Sequence, residues 1–202
     1  MPHQTHPDWE AFLAAVVADP DDDTVRLVAA DWLDDHDDPD RAAFIRIQVE
    51  LAAHGRAGEH PLPRVGELLV KERAFLGPRS HFPGLWGATD CPELVRVKPS
   101  SGRGSLALEV AGGDRVRFHR GFVEEVAVPA AVWVQHGAAV RGRNPIRRVL
   151  LSRCDHITRD HWYQMMESGA LSGLDELLLD TDDGGTVDWL RGFLPGTDVN
   201  TA

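Results

Sequence analysis

The stretch IRRVLLSRCDHIT, Ile146 to Thr158, decides how this chain is to be read. Its apolar residues Ile146, Val149 and Leu151 follow the spacing apolar-x-x-apolar-x-apolar, the signature of a strand that buries one face. The same spacing recurs upstream at Val123, Val126 and Val128 and downstream at Leu174, Leu177 and Leu179, with starts 23 and 28 residues apart. Ala130 to Val140 and Thr158 to Ser168 separate the copies with helical periodicity, and Val187 to Leu194 adds a short last helix. One such register is a common accident. Three in succession predict a repeating strand-helix unit over residues 120–202. Its last strand, Leu177 to Leu179, needs cover for an open edge, and Val187 to Phe193 is the candidate cap.

Working outward, residues 1–76 read as helical. Asp8 precedes a helix whose apolar positions Trp9, Phe12, Leu13, Val16 and Val17 recur at i, i+3, i+4, i+7 and i+8, and Asp19-Pro20 ends it. A second helix follows the acidic turn Asp21-Asp22-Asp23-Thr24, whose carboxylates suit the positive end of the helix dipole, and runs to about Leu33. A third follows Pro39-Asp40, with Gly55 just past its end, and a fourth lies between Pro63 and Leu76. From Gly77 to Gly104 Pro and Gly recur and periodicity fades, which places a boundary there. Leu106, Leu108 and Val110 then alternate against Val116 and Phe118 across Gly112-Gly113, predicting a hairpin, with Leu94, Val95 and Val97 as a third strand. The fold class expected is α+β: a helical domain over 1–76, a linker and short antiparallel meander over 77–119, and a truncated β/α half-solenoid over 120–202.

Length and charge narrow the function classes. A chain of 202 residues with 43% hydrophobic and 26% charged residues has the material for a hydrophobic core and the balance of a globular protein. The net charge of -11 argues against nucleic-acid and anionic-membrane partners. That charge is unevenly placed: residues 1–50 hold 13 acids against 3 bases, 71–153 hold 7 against 14, and 154–202 hold 10 against 2. Acidic ends thus flank a basic middle, which favours internal or self-association or an acidic partner. Two cysteines, Cys91 and Cys154, are too few for a disulfide framework. The first ten residues have no signal-like core and no window approaches 18 uninterrupted apolar residues, so the expected address is a bacterial-type cytoplasm.

Two resemblances are carried by these residues. Ala18 to Leu51, ADPDDDTVRLVAADWLDDHDDPDRAAFIRIQVEL, resembles the bacterial repeat-companion domain through DPDDD, RLVxADWL, an acidic turn and FIRxQ, and RGFVEEV at Arg120 to Val126 is similar to a second landmark of those proteins. In that family the domain accompanies leucine-rich or related repeats, without an established catalytic activity. The three registers resemble leucine-rich repeats, in which Cys154 falls where a buried thiol closes the turn. The resemblance implies a non-enzymatic protein-protein adaptor or scaffold.

Candidate chemistry is sparse. Asp34-Asp35-His36-Asp37-Asp38-Pro39-Asp40 could gather a divalent cation, which makes a metal-dependent enzyme or regulator the alternative function; it fails the EF-hand template, because positions six and twelve counted from Asp34 are Pro39 and Ile45. A solvated, helix-capping turn is the plainer reading. Asp31 and Arg46 lie on consecutive helices and are expected to pair beside Trp32, either holding the helix pair or building a peptide groove. Cys154 reads as a buried structural thiol, or as a nucleophile or metal ligand with His156 or His161 nearby. No metalloprotease, Walker, dinucleotide or G-x-S-x-G motif occurs, so no catalytic residue, metal or cofactor is assigned. The x positions of the three registers are expected to face outward, placing Glu124 and Glu125, Arg147 and Arg148, and Asp175 and Glu176 on adjacent strands as a charge ladder and a candidate partner-binding surface.

Overall fold

The computed structural model describes residues 6–56, 63–76, 86, 90–99, 106–110 and 115–202, with backbone alone at 56, 95–99, 106–110 and 115. Four helices come first: α1 (Pro7–Ala18), α2 (Asp23–Asp35), α3 (Pro39–Arg56) and α4 (Pro63–Leu76). Their starts are capped as short polar side chains allow. The Asp22 side chain accepts from Thr24 N at 2.8 Å, and Asp38 Oδ1 accepts from Arg41 N at 3.2 Å. The cap of α1 is the ring of His6, which accepts from Asp8 N, so Asp8 lies inside the helix rather than before it.

Strands β1 (Val95–Pro99) and β2 (Leu106–Val110) form a separate antiparallel pair. Strand β3 (Arg115–His119) pairs instead with β4 (Phe122–Pro129) across Arg120-Gly121, both at positive φ (49° and 85°), the backbone that matches the twist of a two-residue hairpin. The expected hairpin of Leu106–Val110 with Val116 and Phe118 is therefore corrected, and the expected meander is two sheets. Alternation marks a strand but carries no label for its partner; Gly112-Gly113 lie outside the described residues.

From β4 the chain alternates: α5 (Ala130–Arg141), β5 (Arg148–Ser152), α6 (Arg159–Glu167), β6 (Glu176–Leu179), α7 (Gly184–Phe193) and β7 (Asp198–Thr201). The sheet runs β3-β4-β5-β6-β7, antiparallel at β3/β4 and parallel thereafter, and it is not closed. The fold is α+β, with seven α-helices among the described residues. Val126, Val149, Leu177 and Val199 face one core with Trp133 of α5, Trp162 and Met165 of α6, and Val187 and Leu190 of α7, so all three crossover helices cover the same sheet face. A second core lies among the first three helices around Trp9, Val16, Ala29, Leu33 and Ile45. The cores exchange one ring each: Phe122 of β4 sits in the helical core, and Phe44 of α3 sits in the sheet core.

The sheet's last edge differs from expectation. Strand β6 is internal, because β7 pairs with it in parallel, while α7 lies over the face rather than along the edge. In Asp198-Val199-Asn200-Thr201 only Val199 is apolar, so no alternation signals a strand. Asp198 N donates to Asp175 O and Ala202 N to Leu179 O, which leaves the Val199 carbonyl on the outer side. There Arg191 Nε donates to it at 2.9 Å while its Nη1 holds Asp188 at 2.8 Å. A guanidinium laid along an edge strand blocks strand addition. Arg191→Ala should therefore yield a concentration-dependent dimer in sedimentation velocity with the melting temperature little changed; a monomer at every concentration would show that the edge is protected otherwise.

Candidate functional site

The helical unit meets the sheet around the Arg120-Gly121 turn. Glu124 is the extra residue of a β-bulge: Arg117 pairs with Glu125, yet Phe118 pairs with Val123. A bulge re-aims one side chain out of the alternation. Glu124 is consequently buried, not outward as the registers predict, and its carboxylate accepts from Arg26 Nη2 at 2.8 Å. Arg26, fully buried on α2, also donates to Pro20 O (2.8 Å), Arg120 O (3.2 Å) and His119 O (3.3 Å). Burial pulls its pKa down to about 10 against the opposing pull of Glu124, so the guanidinium stays charged at neutral pH. Arg120 reaches Glu124 at 3.3 Å from the other side. From α3, Gln48 closes the same turn, donating to Phe118 O (3.1 Å) and accepting from Gly121 N (2.8 Å). Arg41, also buried, grips Asp90 at 2.6 Å and lies 5.5 Å from the ring centroids of Trp9 and Trp86.

The sequence pattern assigns no site role to Arg26, Arg41 or Gln48, although it carries a signal for them. Arg26 shares a helical stripe with Ala29, Ala30 and Leu33, and Gln48 one with Phe44 and Ile45; a charged or amide residue on a buried stripe requires a distant partner.

Of the expected pairs, Arg46 Nη2 holds Asp31 at 2.6 Å and Asp34 at 2.7 Å, tying α3 to α2. Trp32 is half-buried, stacked on His36 at 3.8 Å, and it packs towards Trp9 and Phe12. In the acidic turn, Asp34 belongs to Arg46, Asp38 caps α3, and the His36 ring bonds Trp32 O at 2.8 Å. Among the described residues no three His, Cys, Asp or Glu side chains converge as a metal site. Cys154 is buried, its Sγ donating to Leu151 O at 3.2 Å, and burial pushes the thiol up to about 11, leaving little thiolate at neutral pH. His161 reaches back to Thr158 N at 3.2 Å and caps α6. These geometries favour the structural reading of Cys154.

The opposite face of the sheet is the candidate surface. In register across it run Glu125, Arg148, Glu176 and Asp198, and one step along the strands run Ala127, Leu150, Leu178 and Asn200. Arg117 holds Glu125 at 3.0 Å, whereas Arg148 spans Glu125 and Glu176 loosely, at 3.8 and 3.9 Å, and is half-exposed. Arg147 and Asp175 sit just before their strands and pair at 2.8 Å. The ladder is thus split, with Glu125, Arg148 and Glu176 on the face, Arg147 and Asp175 at its margin, and Glu124 inside. The margin opens into a groove of about 830 Å³ between α3, α4 and the strands, with Leu51, Val65 and Leu69 on the helical wall and Arg117, Arg147 and Arg148 on the other.

Arg147 also reaches across to Asp21 at 2.7 Å. That hydrogen bond, aided by the charges of Arg147 and Arg120, holds the Asp21 carboxyl below its ordinary range despite some desolvation. A depressed carboxylate contributes stability above the unfolded-state value and loses it as pH falls through the lower folded value. Asp21→Asn should therefore lower neutral stability slightly, the group being exposed, and flatten the acid limb of the melting temperature below about pH 4 by the same small amount, so that variant and wild type converge in acid. An unchanged acid limb in thermal melts would place that limb elsewhere. Comparison of the chain with protein-family models, with curated proteins and with solved structures found no match.

Proposed function

We propose that this protein is a non-enzymatic adaptor of the bacterial cytoplasm, in which a repeat-companion-type helical unit is clamped onto a truncated leucine-rich-repeat-like array and presents the open sheet face to a polypeptide partner. The observation that carries the reading is the open face itself. No described helix covers it, its charged and aliphatic rows repeat in register at strand spacing, and it runs into a groove walled by α3 and α4. Four parallel strands in chain order, each crossover helix on the same side, support the repeat-like part. Among the described residues no helix is long and apolar enough to cross a membrane.

The test is affinity capture from the native host with cross-linking mass spectrometry, using wild type and the double variant Leu150→Lys, Leu178→Lys. A captured protein should cross-link to residues around the sheet face and vanish with the variant, whose circular dichroism should match wild type. Cross-links confined to the crossover helices, or undiminished capture by a folded variant, would overturn the reading. Calorimetric titration with calcium, magnesium and zinc tests the metal-dependent alternative, which requires binding tighter than about millimolar.

A further inference from the structure

The chemistry of the occupant follows from how the rows end. Along the face the charges run Arg117, Glu125, Arg148, Glu176 and Asp198, alternating in sign until the last two. Glu176 and Asp198 are in-register neighbours on parallel strands about 4.8 Å apart, where like charges destabilise the pairing. Arg148 approaches Glu176 no closer than 3.9 Å and is shared with Glu125. No arginine of residues 154–202 pairs with Glu176 or Asp198: Arg159 lies over the Trp189 ring at 5.4 Å, and Arg191, on the β7 edge, reaches Asp198 only through the Asn200 amide, which accepts from Arg191 at 3.2 Å and donates to Asp198 at 2.9 Å. Beside this unbalanced end lie Leu150 and Leu178, in register and partly accessible.

Resting on the adaptor reading, we propose that the β5-β7 end of the open face binds a polypeptide segment that sets aliphatic side chains over Leu150 and Leu178 and a lysine or arginine over Glu176 and Asp198. A cation there neutralises a repulsion that the free protein tolerates, and the aliphatic row supplies apolar area beside it. An acidic segment would meet Glu176 and Asp198 against one arginine, Arg148, that is already shared with Glu125, and is disfavoured by the same geometry.

Fluorescence anisotropy of the full chain with two labelled heptapeptides, one alternating lysine with leucine and one alternating glutamate with leucine, tests this. The lysine peptide should bind and the glutamate peptide should not. Glu176→Gln with Asp198→Asn should weaken the lysine peptide about tenfold or more. Asp35→Asn with Asp37→Asn removes the same charge from the far end of α2 and should change affinity less than about twofold. Leu150→Gln with Leu178→Gln should also weaken binding, while leaving circular dichroism unchanged. Equal loss in both charge pairs would mean attraction to the net charge alone and overturns the proposal, as does absence of binding. Preference for the glutamate peptide, abolished by the leucine pair, would overturn the cationic occupant and leave the adaptor face standing; insensitivity to the leucine pair would remove the face as well.

Discussion

Glu124→Ala should lower the unfolding free energy by about 3 to 5 kcal/mol, because it leaves Arg26 charged and buried without its carboxylate. Arg26 is fully buried, and its remaining partners are mainly carbonyl oxygens of Pro20, His119 and Arg120. These orient a guanidinium but do not neutralise it. The pair Arg26→Met, Glu124→Leu should recover most of the loss, since two apolar residues of similar volume remove the need for a charge partner. Urea titration of both single variants and the double variant reads this directly, and a strongly negative coupling is not needed: near-recovery of the midpoint suffices. A Glu124→Ala midpoint within about 1 kcal/mol of wild type would mean that solvent reaches Arg26.

Gly121→Ala should cost about 2 to 5 kcal/mol, combining a left-handed backbone for a residue with a Cβ and an overlap that packing cannot relieve. At φ 85° the added Cβ would lie 2.3 Å from Ile45 Cγ1 and 2.8 Å from Ile45 Cα. The second atom is backbone, so relief requires α3 to move away from the turn and to loosen the Gln48 and Arg41 bonds to Gly121. Gly196→Ala is the control. Its φ is 90° with nothing within 4 Å of the new Cβ, so it carries only the backbone part. Equal midpoint losses in the two variants would show that the close approach to Ile45 contributes nothing. Gly121→Ala should also change the groove beside the turn, since α3 forms one of its walls.

The elements that local pattern alone determines are those whose signal lies within one turn or one strand. The 3.6-residue spacing from Trp9 to Val17 marks α1, acidic caps and prolines bound α2 to α4, and three two-residue alternations mark β4, β5 and β6 with their helices between. Cys154 in a buried turn and the Arg46-Asp31 pair were legible for the same reason: their partners are close in sequence or on consecutive helices. Tertiary structure decided the rest. Whether β3 pairs with β2 or β4 depends on which turn closes at positive φ, which alternating sequences do not record. Strand β7 exists because β6 offers it a ladder, although only Val199 among its residues is apolar. Glu124 faces inward because a bulge, invisible in its neighbours' pattern, turns it towards an arginine 98 residues away. Charge and hydrophobicity say whether a residue prefers water, but only the packed chain brings Arg26 to that carboxylate and makes burial of both tolerable.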